Sequence, residues 1–198
     1  MGGYLNGIVV YEDEVSALKL MSEELSRYHQ VFAKAAVENG GLGVIIRVNG
    51  VDVGSAIGYT AEGSMLTVGV IYYVYIRRSY RGSGFGKVLV ASMEELLEGK
   101  GSRVYVASTT RDNIESQRLF KSLGYRVLEW SIAESELGYD VVEALEAIAC
   151  MYDDDIIMVK PYSRSLLSKL RRLDYRSLWF NICYKPWLDY RSYTSVKL

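Results

Sequence analysis

The chain has 198 residues, 49% of them hydrophobic and 24% charged, with a formal net charge of -1. That is enough to bury one full core, and it gives no overall bias toward polyanionic partners. No apolar run is long enough to cross a membrane, and no basic region leads into an apolar secretory core, so a cytoplasmic protein is expected. Cys150 and Cys183 are too few for a disulfide framework and lack partners at metal spacing; both are expected to be buried or simply reduced, with an intramolecular bridge between them as the alternative if the Tyr-rich, Gln- and His-poor composition marks a hyperthermophile.

In chain order, residues 7–11 read as a strand and residues 12–37 as a helix. Val15, Leu18, Leu25, Phe32 and Ala36 share one stripe of that helix, and His29 lies on it between Leu25 and Phe32. Residues 42–48 and 51–60 are two arms of a hairpin, because Asn49-Gly50 is a strong turn signal. Residues 66–76 are β-branched and aromatic with almost no charge, which predicts a buried strand. Beyond a glycine-rich turn, Val88, Leu89, Val90, Met93, Leu96 and Leu97 recur at helical spacing until Gly99 and Gly101 stop the helix.

The turn itself, from Arg81 through Gly82, Ser83, Gly84, Phe85, Gly86 and Lys87, carries the chemistry. Glycines at a strand-to-helix junction let a ligand approach the backbone, and the unpaired N–H groups of a helix start attract anions. A Walker A loop is excluded, because only three residues separate Gly82 from Gly86 and Val88 follows Lys87 where Ser or Thr would hold magnesium. The dinucleotide pattern G-x-G-x-x-G would need glycine where Lys87 stands. What remains is R-x-x-G-x-G, filled by Arg81, Gly84 and Gly86, and it resembles the acetyl-CoA-binding motif of the GNAT N-acetyltransferase superfamily. The plainer alternative is a glycine-rich loop that closes a βα unit and holds nothing.

A second stretch, residues 113–125, resembles a later helix of the same family: Asn113, six residues, the aromatic Phe120, then Gly124 and Tyr125. Its physical sense stands alone, since Asn113 can cap a helix, Leu119, Phe120 and Leu123 make its apolar face, and Gly124 ends it. The resemblance implies an α/β (α+β) fold, a mixed twisted sheet flanked by helices and splayed open beside the acyl donor. It implies that the backbone of Val74, Tyr75 and Ile76 pairs with the pantetheine arm, that the amides of residues 82–87 hold the pyrophosphate, and that Arg81 helps to neutralise it. Asn113 then matches a side chain that contacts acetyl-CoA further along, and Arg77, Arg78 and Lys87 add positive charge.

Acyl transfer to an amine needs a neutral nucleophile, a stabilised oxyanion and a proton for the departing thiolate. A main-chain N–H near Ile76 could meet the oxyanion. At the positions where relatives place acids and bases, however, this chain has Phe120, Val70 and Ser108, none of which is a good proton carrier. Tyr72 shares the face of Val70 on a regular strand and is the leading candidate for a proton relay, while a bulge would bring Tyr73 there instead. His29 is a second possible base. The expected activity is transfer of acetyl from acetyl-CoA to a primary amine: a peptide N-terminus, a lysine or a small molecule. The empty positions motivate a rival, a non-catalytic acyl-CoA-binding or regulatory module.

Two additions follow the core. Residues 140–150 place Val141, Val142, Leu145, Ile148 and Ala149 on one helical stripe, and Asp153, Asp154 and Asp155 read as a solvated turn before a strand at 156–160. Domain boundaries are expected at 1–161 and 162–198, the second a basic, aromatic-rich extension with eight Lys or Arg against two Asp. A helix at 165–173 and a strand at 178–184 would pack on the acidic body or on a second subunit, giving a homodimer, rather than bind nucleic acid. No metal site and no membrane contact are expected.

Overall fold

In the computed structural model, which describes residues 7–195, seven strands form one mixed sheet in the order β1-β2-β3-β4-β5-β7-β6. The strands are β1 Ile8–Glu12, β2 Leu42–Val48, β3 Val51–Ala61, β4 Val68–Ile76, β5 Val104–Thr109, β6 Arg126–Glu129 and β7 Ile156–Lys160. Only β4 and β5 run parallel. The N-terminal residues read for a secretory signal lie outside the described residues.

Helices cover both faces, which is why β2, β3 and β4 are buried as continuous apolar runs rather than alternating ones. One face carries α3 Phe85–Gly99 and α4 Ile114–Ser122, whose Leu89, Met93, Leu97 and Phe120 pack on Val44, Ile46 and Ile71. The other carries α1 Glu14–Met21, α2 Arg27–Glu38, α5 Trp130–Leu137 and α6 Tyr139–Ala149 over Ile45, Ile57 and Val70. Asn49 and Gly50, both at positive φ, make the turn between β2 and β3 that the sequence demanded.

The helix expected at 12–37 is two helices. Asp13 caps the first, accepting from the Ser16 amide at 2.8 Å, and Ser26 caps the second, accepting from His29. The second cap falls inside the apolar stripe and breaks it, and Val15, read as core, is 77% exposed.

The strand expected at 178–184 is helical. After α7 Arg164–Leu167 and a 3-10 turn at Ser168–Arg172, the chain runs through α8 Arg176–Trp179, a π-helical turn at Phe180–Tyr184 and α9 Lys185–Ser195. A strand needs a free sheet edge; this segment instead buries Ile182 and Cys183 against α2 and α6, and consecutive inward residues suit a π turn. Cys150 and Cys183 are joined in a disulfide, not reduced, so the extension is tied covalently to the end of α6.

Candidate active site

The site begins where the sheet opens. β4 and β5 pair from Val68–Val104 to Val70–Val106, and the paired register stops there. Two cavities meet in the gap and share Val74, Asn113 and Ser116.

The outer one, a groove of about 710 Å³, runs along Val74 and Ile76 to the glycine turn. Gly82 and Gly84 have φ of +77° and +83°, and a Cβ on either would point into open space. The backbone there is held in a shape that side chains resist, with the first amides of α3 facing no intrahelical acceptor. Gly86 serves a different end: a Cβ would come within 3.3 Å of Leu119, so its absence lets α3 and α4 approach.

Phe85 borders the groove, and Ser83 stands exposed on the tip of the turn. Lys87 spends its amide on the Gly84 carbonyl at 3.0 Å and offers its ammonium, with Arg118 supplying a second cation. Arg81 lines the groove, yet it donates to the Ile76 carbonyl at 3.1 Å and pairs loosely with Glu24. Arg77 does not join this charge, being held 2.8 Å from Glu23. Asn113 caps α4, accepting from the Ser116 amide. Open glycine amides, two cations and a helix start fit a diphosphate.

The inner cavity, about 390 Å³, is walled by Tyr28, His29, Phe32, Tyr72, Tyr73, Tyr152, Ser108 and Asp154. Its key is a β-bulge. Ile57 of β3 faces Tyr73 but the next residue, Gly58, faces Ile71, so Tyr72 is the extra residue. Tyr72 and Tyr73 therefore lie on one face of β4 together with Val70, their rings 4.6 Å apart. Tyr75 follows them to that face and does not line the groove, which its neighbours Val74 and Ile76 do.

Burial, first, and the hydrogen bond to Tyr73 push the Tyr72 hydroxyl well above the ordinary phenol range, and burial raises that of Tyr73. Burial and the charge of Asp153 push Tyr28 up to about 12. These phenols keep their protons at neutral pH and are not phenolates. His29 Nδ1 lies 3.3 Å from the Tyr73 hydroxyl, extending the chain of polar groups to the cavity mouth.

The sequence reading missed Asp154. Instead of standing in a solvated turn, it lines the cavity and accepts from Ser108 Oγ at 2.5 Å, while Asp155 pairs with Arg111. Burial lifts its carboxyl above the usual range, opposed by the Ser108 bond and by His29. Only the pairing of Ser108 with Ile157 across β5 and β7 brings the two together, over 46 residues of chain.

The profile of the acetyltransferase (GNAT) family matches residues 9–125, and the chain belongs to that family. Acetyl-CoA, the acyl donor of the family, is its co-substrate. Among solved structures, the NatC complex bound to Gag peptide and CoA is similar at 15% identity, with a TM-score of 0.55 over 79% of this chain and 99% of that one. A GNAT acetyltransferase from Staphylococcus aureus is similar at 12% identity and a TM-score of 0.54, covering 77% and 98% of the two chains. The aminoglycoside N-acetyltransferase AAC(6')-Iy, in complex with CoA, gives 18% identity and a TM-score of 0.52, over 61% of this chain and 88% of that one. At these identities the likeness is one of fold. No curated protein matches the sequence.

Proposed function

We propose that the chain is an N-acetyltransferase that moves the acetyl group of acetyl-CoA onto a primary amine. The supporting observation is the junction of two unlike cavities at Val74 and Asn113, one an anion cradle and the other a chamber of phenols and a carboxylate. In this reading the backbone of Val74, Tyr75 and Ile76 pairs with pantetheine, the amides at Gly82, Ser83, Gly84, Phe85 and Gly86 hold the pyrophosphate with Lys87 and Arg81, and Asn113 contacts the arm beyond. Tyr72, neutral and buried, returns a proton to the departing thiolate.

Aromatic walls beside an acid favour an alkylammonium acceptor: a peptide N-terminus, a lysine or a small amine. Need for an acetyl-CoA pool is consistent with a cytoplasmic protein. Residues 162–198 belong to the same reading as an extension packed on the body formed by residues 1–161, with a homodimer through the extension's outer face.

The test is thiol release from acetyl-CoA by the full chain, with a tetrapeptide, free lysine, spermidine and 2-phenylethylamine as acceptors. Turnover with one of these supports the reading. CoA binding without turnover on any favours the non-catalytic module, and no CoA binding at millimolar concentration sinks both.

A further inference from the structure

We infer that Asp154 is the general base that takes the proton from the acceptor ammonium, a role left empty at the family's usual positions and filled here from the segment before β7. The inference rests on the acetyltransferase reading and deepens it. Ser108 occupies one of those usual positions and cannot hold a proton, but it fixes one oxygen of the Asp154 carboxylate. No other hydrogen bond to that carboxylate is made by the described residues, so the second oxygen is available to a ligand in the cavity.

The neighbouring acids are poorer choices. Asp153 is exposed, and Asp155 is 3.4 Å from the Arg111 guanidinium. His29 is exposed at the cavity mouth with Nδ1 directed to Tyr73. Groups acting on Asp154 come from every side: Tyr28 and His29 from α2, Tyr73 from β4, Ser108 from β5, and Asp153 and Asp155 from its own segment. Burial among the aromatic walls favours the protonated carboxyl, which makes the carboxylate a stronger proton acceptor than one in water.

In the step, the ammonium gives one proton to the Asp154 carboxylate and the resulting amine attacks the thioester carbonyl carbon. A C–N bond forms and the C–S bond breaks. The second amine proton neutralises the thiolate by way of Tyr72 or water, and Asp154 releases its proton to solvent. The net products are amide, CoA thiol and one proton.

D154N keeps the shape and the bond to Ser108, and its effect must depend on the acceptor. With the fastest alkylammonium acceptor of the panel above, kcat/KM should fall at least ~100-fold, in the range of a lost general base. With hydroxylamine, already neutral at pH 7, it should stay within about three-fold, since no proton has to be removed before attack. The acid limb of the wild-type profile should disappear in D154N and move to higher pH in S108A, which loses the bond that holds the carboxyl down.

Equal losses on both acceptors, or an active D154N, would overturn the assignment while leaving the acetyltransferase reading intact. A wild type that binds CoA but acetylates neither acceptor would overturn both. Should D154N lose CoA affinity and melt early, S108A decides alone, and an unmoved acid limb refutes the role.

Discussion

At the scale of single residues, three substitutions separate holding the acyl donor from using it. Replacing Gly84, at φ +83°, by Val both strains the turn and fills the space over the amides, so CoA affinity measured by calorimetry should drop at least ~100-fold. Tyr72→Phe removes a hydroxyl from the inner cavity and touches no part of the groove; CoA affinity should be unchanged while turnover falls about 10–100-fold. D154N should leave thermal stability unchanged or higher at pH 7. Because burial raises the native carboxyl above its unfolded value, the native state binds the extra proton, and wild-type stability falls as pH rises between the two values. The melting temperature of D154N should lack that slope, and a large loss of stability at pH 7 would mean that the charge is structural.

At the scale of elements, the bulge in β4 decides the chamber. Alternation alone sends Tyr73 to the α3 face, where Ile71, Val74 and Ile76 pack; the single extra residue moves it beside Tyr72 and His29. The helix breaks matter for the same reason, since ending α1 at Met21 and restarting at Arg27 lets Tyr28, His29 and Phe32 face the cavity. The disulfide closes a loop of 33 residues between α6 and the extension. Reducing it, or replacing Cys183 by Ser, should destabilise the chain by about 3–4 kcal/mol and lower the melting temperature by roughly 10 °C. An unchanged melt after verified reduction would contradict this.

At the scale of the molecule, the extension is part of the core despite its separate composition. Leu167, Leu170 and Ile182 are each at most 1% exposed, and they join the cluster built on α6. Each contributes on the order of 1.5–3 kcal/mol, comparable together to the whole stability of a domain. A chain ending at residue 161 should therefore be insoluble or lack a cooperative melt, and a well-folded truncation with full CoA affinity would show the boundary to be a true domain limit. The outer face of the same segment leaves Trp179, Phe180 and Leu188 exposed. Light scattering on the full chain should give a dimer mass if that face pairs two copies; a monomer mass would remove the dimer from the reading.

Local chemistry was legible because it is written in neighbouring residues. The glycine turn after Arg81, the Asn49-Gly50 hairpin, the Asn113 cap and the helix at 140–150 each follow from spacing and backbone freedom, and the turn together with residues 113–125 carried the resemblance that implied the family. What the sequence could not decide was which distant groups share a cavity. Tyr73 turns inward through a one-residue register shift against β3, Asp154 reaches Ser108 only through the β5–β7 pairing, and Cys183 meets Cys150 only because a presumed strand folds as a helix. Each of these is a long-range contact, set by packing free energy summed over the fold and leaving no periodic mark on the chain that makes it.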